Sequence, residues 1–286
     1  MSLDNYIGFI AGIASGATKL LIGHPFDTIK VRVQTEGFGG RFKGPLHCLK
    51  ETIRNEGIRG MYKGATPPLF GWAMMDSIQL GTLTNLRLLL KDDDKPLTVP
   101  QHALAGLGTG IVVSFVATPI EVLKANLQIQ YGKDTTRYSG PIDCAKKLYK
   151  DQGIAGIYRG LSGCLLFRSF FWLLWGSYEV YSNTLVQHGV DQSLIPFLAG
   201  GLAANTFWTV SFPADVIKNK LMTRPTINPK FRTIAQCARY IYSTDGIKGF
   251  YRGFVPCFIR SFPTNGAAIF VFETISSFGK NYSKNN

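Results

Sequence analysis

Charge is the scarce ingredient of this 286-residue chain. Asp, Glu, Lys and Arg make up 17% of it, below the roughly 25% of ordinary soluble domains, and the shortage is concentrated in windows. Residues 96–120 and 192–214 contain none of the four. Residues 5–26 contain only Lys19, 65–86 only Asp76, 161–178 only Arg168 and 254–272 only Arg260. Each window is close to the ~20 residues a helix needs to cross a bilayer. The pattern predicts six membrane spans and opposes a soluble nucleic-acid-binding protein, whose bases would need an exposed face. Histidine and cysteine are sparse too. The five cysteines show no pairing pattern, which argues against a disulfide framework. The four histidines are scattered at 24, 47, 102 and 188. With no metal-ligand cluster, no Ser-His-Asp set and no phosphate-binding glycine loop, no metal, cofactor or enzyme activity is expected. Met1 to Tyr6 lacks a basic start and no Arg-rich leader precedes the first span, so targeting is expected to be internal.

What is present is a repeat. Pro25-Phe26-Asp27-Thr28-Ile29-Lys30, Pro119-Ile120-Glu121-Val122-Leu123-Lys124 and Pro213-Ala214-Asp215-Val216-Ile217-Lys218 are one element written three times, with the prolines 94 residues apart both times. Proline kinks a helix, and an acid and a base one turn apart share a face. Six charges are therefore expected to meet where three kinked helices converge. A second element follows each copy: Gly57 and Gly64, Gly153 and Gly160, Gly246 and Gly253 are each seven residues apart. Cys48, Cys144 and Cys237 each precede the closing glycine by sixteen, and read as small buried residues at equivalent helix positions.

These motifs, from about Asn5 to Asn281, resemble the mitochondrial carrier family: proline, acid and base, a second base, a glutamine, then acid-glycine, an aromatic, a base and glycine. The first copy is complete through Arg32 and Gln34. The second has Asn126 for its second base, keeps Gln128, and has Gln152 for the acid before the glycine; the third keeps Lys220 but has Met222 for glutamine. The resemblance implies an all-α membrane protein. It would be a single carrier domain over 1–286, with repeats at 5–91, 99–187 and 193–281. Six transmembrane helices would form a threefold pseudosymmetric bundle with three short matrix surface helices.

The sequence carries its own topological cues. The long links 32–63, 132–159 and 224–252 hold 19 of the 31 Lys and Arg, which places them on the side that retains positive loops. By resemblance that side is the matrix of a mitochondrial inner-membrane protein with both termini toward the intermembrane space. Amphipathic segments at about 45–55, 141–151 and 233–244 are predicted to lie on the membrane surface. Gly8, Gly12 and Gly16, Gly106 and Gly110, and Gly200 with Ala204 make small-residue stripes for close helix approach. Gly64, Gly160 and Gly253 open the even spans, whose free backbone donors suit a lipid headgroup. The resemblance implies cardiolipin there; simple helix capping is the competing reading.

In the family arrangement each acid pairs with the next base: Asp27 with Lys124, Glu121 with Lys218 and Asp215 with Lys30. Gln34 and Gln128 are expected to brace this matrix gate; the competing reading is a ring that serves only to fix helix register. The opposite, cytoplasmic gate is depleted. Glu179 and Glu273 keep their acids, Ser182 and Ser276 replace the bases, and Arg87 remains, leaving one bridge, Glu273 with Arg87. Three pairs against one are expected to bias the empty protein toward the cytoplasmic side.

The family's substrate contacts map onto Gly71, Trp72, Phe167, Arg168 and Arg260, and Asp76 is a further charge within a span. Arg168 lies eleven residues before Glu179, near the same helical face. The sequence shows no evident partner for Asp76, Arg168 or Arg260, and interhelical salt bridges compete with the site reading. Arginines suit carboxylates and an acid suits an ammonium group, so a small amphoteric substrate fits best. Gly23 to Asp27 and Arg260 to Asn265 are similar to the carnitine and basic amino acid branch. Arg168-Ser169 departs from that branch's arginine-acid pair, and nucleotides fit less well without a glycine-aliphatic pair. The expected partners are this solute and the bilayer, with no nucleic acid, for a monomer acting as a transporter or antiporter. The alternative is a carrier scaffold without transport, used as a receptor or insertase.

Overall fold

The computed structural model describes residues 3–36, 40–91, 96–131, 137–192, 194–226 and 228–260, together with 263, 264, 267, 271 and 274. Among the described residues regular structure is entirely helical. The first repeat comprises α1 (Leu3–Glu36), α2 (Pro45–Met61) and α3 (Thr66–Leu90). The second comprises α4 (Val99–Gln128), α5 (Pro141–Gln152), α6 (Ile154–Ile157), α7 (Leu161–Ser169) and α8 (Phe171–Gln187). The third comprises α9 (Ile195–Thr223), α10 (Ile234–Gly249) and a helical stretch at 254–260.

The repeated prolines lie inside the three long helices α1, α4 and α9. Capping residues mark where helices begin. Thr98 and Gln101 form a capping box before α4, where the Thr98 N–H donates to Gln101 Oε1 at 2.8 Å, and Thr233 accepts from the Gln236 N–H at 3.3 Å before α10. The link helices run slightly longer than expected. Gly57, Gly153 and Gly246 sit at φ +68°, +61° and +63°, a region open to glycine and costly for other residues. Each puts a sharp turn into its link helix. Cys48, Cys144 and Cys237 are buried beside these turns, and burial pushes their thiols up to about 11, about 12 and about 12 respectively.

Polarity is inverted relative to a water-soluble fold. Asp27, Lys30, Asp215, Lys218 and Arg168 are buried, while Ile111, Phe115, Phe197, Leu198 and Leu202 face outward. Among the described residues α4 is the helix both long and apolar enough to cross a membrane by composition.

One packing expectation is corrected. The fourth span breaks at Phe170 into α7 and α8, and the glycines of α4 are what meet this break. A Cβ on Gly106 would lie 2.6 Å from the Phe171 carbonyl oxygen, and one on Gly110 would overlap the Arg168 carbonyl. At Gly16 and Gly200, by contrast, nothing among the described residues lies within 4 Å of a Cβ position.

Candidate functional site

Helices α1, α4 and α9 bring their six repeated charges into one closed ring. Lys124 Nζ lies 2.6 Å from Asp27 Oδ2, Lys218 Nζ 2.8 Å from Glu121 Oε2, and Lys30 Nζ 2.8 Å from Asp215 Oδ2. Lys218 also reaches Asp215 Oδ1 at 3.2 Å, so charge continues around the ring. Removal from water makes each ion dependent on these partners.

The two glutamines behave differently. Gln34 Nε2 donates to Asp215 Oδ2 at 3.1 Å and its Oε1 accepts from Asn219 Nδ2 at 2.7 Å, so it braces the ring. Gln128 Nε2 instead donates to Thr28 Oγ1 at 3.2 Å, away from any ring acid. The Gln128 backbone carbonyl accepts from Arg32 Nε at 2.8 Å. Arg32 also bridges to Glu56 Oε2 at 2.7 Å, and Lys63 reaches Glu56 Oε1 at 2.7 Å. Met222 is fully buried, and its backbone oxygen accepts from Asn126 Nδ2 at 3.1 Å.

The closing glycines pack onto the ring helices of another repeat. Gly64, Gly160 and Gly253 have φ of +75°, +87° and +85°. Their Cβ positions would lie 2.7 Å from the Lys124 carbonyl oxygen, 2.7 Å from Met222 Cγ and 3.1 Å from the Lys30 carbonyl oxygen. No side chain fits there, a constraint that the headgroup and capping readings both leave out.

Arg168 and Arg260 are not unpartnered as expected. Arg168 Nη2 lies 2.5 Å from Glu121 Oε1, and Arg260 Nη1 pairs with Asp27 Oδ1. An intramembrane ion is costly without a partner, and the ring acids are the carboxylates these arginines reach. Five cations thus share three acids at the ring, which leaves the floor of the chamber electropositive. Trp208, which the motifs did not flag, lies 4.6 Å beneath Lys30 Nζ, and Phe167 lies 4.3 Å from Lys218 Nζ. A cavity of about 180 Å³ is bounded by the ring, Arg260, Phe167 and Trp208.

The remaining positions divide. Gly71 is packed against Ile120, with a Cβ position 2.6 Å from Ile120 Cδ1, so it seats α3 on α4. The Trp72 side chain lies outside the described residues. Asp76 is exposed and forms no ion pair among the described residues, and Lys19 is exposed as well. At the other end of the bundle, Glu179 Oε2 lies 3.6 Å from His102 Nε2. His102 is a partner that the acid-base pattern did not reveal, because imidazole is a base only when protonated. Arg87 stacks over Trp175 at 4.9 Å. Glu273, its expected partner, and Ser276 lie outside the described residues.

A sequence model of mitochondrial carrier proteins matches residues 2–94, 95–189 and 190–283. Mitochondrial substrate carrier family protein L of Dictyostelium discoideum is 42% identical over 274 residues, covering 94% of each chain. The glutamate/glycine mitochondrial carrier ymc1 of Schizosaccharomyces pombe is 34% identical over 277 residues, 94% of this chain and 93% of that one. The mitochondrial basic amino acids transporter of Bos taurus is 32% identical over 286 residues, 98% of this chain and 93% of its own.

Proposed function

This chain belongs to the mitochondrial carrier family and is a mitochondrial solute transporter; on that premise we propose that it moves a small amphoteric or carboxylate-bearing metabolite, an amino acid or a carnitine-like compound, by alternating access. Family members are transporters rather than enzymes. The observation that carries the reading is the pairing of Arg168 with Glu121 and of Arg260 with Asp27. A substrate carboxylate competes for those guanidinium groups, which bind planar anions bidentately. Each arginine it captures removes one partner from a ring acid, so binding loosens the gate from above. Exposed Asp76 then serves the substrate's cationic end.

The magnitudes allow this. Ion pairs contribute about 0–1 kcal/mol when exposed, and burial costs them much of their Coulomb gain. Three therefore hold the gate by a few kcal/mol, less than the roughly 4–8 kcal/mol of millimolar to micromolar binding. The substrate must bind the switching state better than either end state.

The same reading covers what surrounds the site. Six spans in the mitochondrial inner membrane are supported by the six charge-poor windows and the outward apolar side chains. The basic long links support matrix-facing surface helices and termini toward the intermembrane space. We assign repeats at 5–91, 99–187 and 193–281, headgroup contacts of cardiolipin type at Gly64, Gly160 and Gly253, and a monomer as the working unit. The test is uptake into liposomes holding the purified protein, across amino acids, carnitine esters and carboxylic acids. One class should exchange, and Arg168→Ala and Arg260→Ala should abolish that exchange while leaving insertion intact. No exchange with any solute would favour a receptor or insertase.

A further inference from the structure

Beyond the ring, on the matrix side, lies a second and larger cavity of about 560 Å³, lined from all three repeats. Six cations and two acids, Glu36 and Asp245, face it. Two of the cations are neutralised elsewhere, Arg32 by Glu56 and Arg137 by Asp151. Arg159, Lys220 and Arg224 form no ion pair among the described residues.

Arg159 is in this state for a reason the repeat makes plain. In the first repeat the second base Arg32 and the closing base Lys63 share one acid, Glu56, in a single ion-paired triad. In the second repeat the corresponding residues are Asn126, Gln152 and Arg159. Base and acid have both been replaced by amides, and the closing arginine has been kept.

Arg159 is 3% exposed and, among the described residues, its guanidinium donates only to neutral acceptors. These are the Met222 backbone oxygen at 3.3 Å, Thr226 Oγ1 at 3.2 Å and Asn126 Oδ1 at 3.3 Å. All are long for bonds from a charged donor, and they use three of the five N–H groups a guanidinium carries. Burial, with Arg224 and Arg137 nearby, holds Arg159 below its ordinary range. Arg224 is likewise lowered by burial and by Arg232. A buried cation of this kind calls for a counter-charge, and the open cavity is where one fits.

We propose that this matrix-mouth cavity is a binding site for a small soluble phosphate-type anion, held by Arg159 and Arg224 with Lys220 adding charge. The guanidinium fork matches phosphate oxygens in pairs. The cavity lies among the links of all three repeats rather than on the outer surface, which favours a soluble anion over a lipid headgroup. The inference does not depend on which metabolite is carried, because the site is separated from the chamber by the ring.

The test is equilibrium binding of labelled inorganic pyrophosphate to the full-length protein in detergent at physiological ionic strength, with and without cardiolipin. A single saturable site is expected. Gln152→Glu puts an acid at the position Glu56 holds in the first repeat, seven residues before the closing base, and should weaken binding by about tenfold or more, the loss of one charge-assisted contact. Arg224→Gln should do the same. Lys146→Gln, on the exposed face of α5, should leave it unchanged. Gln152→Glu introduces no cavity, so its melting temperature separates a binding effect from misfolding. The proposal is overturned by absence of saturable binding, by unaltered wild-type affinity in Gln152→Glu and Arg224→Gln, or by binding that is competed away by cardiolipin.

Discussion

Lys30 near the start of the chain and Asp215 in the last repeat meet at 2.8 Å, with the Trp208 ring 4.6 Å beneath the ammonium. That contact closes the ring, because it joins the first repeat to the third. Asp215 also holds Lys218, Gln34 and Asn219. Asp215→Ala therefore strands the buried Lys30 ammonium and leaves Lys218 with Glu121 alone, whereas Lys30→Ala leaves Asp215 with Lys218. Removing one partner of a buried pair costs about 3–5 kcal/mol, so Asp215→Ala should depress the melting temperature more than Lys30→Ala. Both should slow exchange, and the swap Lys30→Asp with Asp215→Lys should restore part of it. Equal melting of the two single variants would count against a shared anchor at Asp215.

Arg260 separates binding from gating. Arg260→Lys keeps a charge that can pair with Asp27 but loses the two-pronged fit to a carboxylate. Its expected phenotype is raised KM with the protein still inserted, while Arg260→Ala loses exchange altogether. An unchanged KM in Arg260→Lys would move the carboxylate contact elsewhere.

The closing glycines can be compared with Gly189, which shares their positive φ and lacks their packing. Gly189 and Gly64 have φ of +71° and +75°, so alanine strains both by about 1–3 kcal/mol. Only at Gly64 does the new methyl also meet backbone, the Lys124 carbonyl at 2.7 Å; at Gly189 nothing among the described residues lies within 4 Å. Gly64→Ala should therefore melt lower than Gly189→Ala. Similar melting would mean that the Gly64 contact yields easily.

The ring was legible before any coordinate because three copies at one spacing constrain one another, and each motif alone names its acid and base. The link helices were legible for the same reason, their glycines recurring at fixed offsets. The partners of Arg168 and Arg260 were not, since spacing along a chain does not reveal the depth at which two helices present their charges. The break at Phe170 was hidden inside an unbroken apolar window. His102 was hidden because the repeat pattern seeks Lys and Arg. Gln128 shows that an offset repeated within the chain fixes a position and leaves the hydrogen-bond partner open.

The link-helix thiols predict an alkaline weakness. In the unfolded chain a thiol ionises near 9.0, whereas burial holds Cys48 to about 11 and Cys144 and Cys237 to about 12. Between those values the unfolded state has lost protons that the folded state keeps, so stability falls as pH rises past about 9. The melting temperature should be flat just above neutrality and then decline, less steeply in the triple variant Cys48→Ala, Cys144→Ala, Cys237→Ala. A slope unchanged by the triple variant would assign the decline to tyrosines and lysines instead.

The imbalance between the two ends predicts the resting state. The ring end of the bundle, which we propose faces the matrix, holds three carboxylate-lysine pairs, reinforced by two arginines. Among the described residues the other end offers His102 with Glu179 at 3.6 Å, an ion pair only when the imidazole is protonated. Empty protein should therefore rest closed to the matrix and open to the cytoplasmic side. Asp76→Cys provides the reporter, because Asp76 is exposed. In sealed vesicles of known orientation it should react with a membrane-impermeant maleimide faster from the cytoplasmic side. His102→Arg supplies a permanent positive charge to Glu179, which should slow that labelling without touching the ring. Faster labelling from the matrix side, or no effect of His102→Arg, would show that pair counts do not set the resting state.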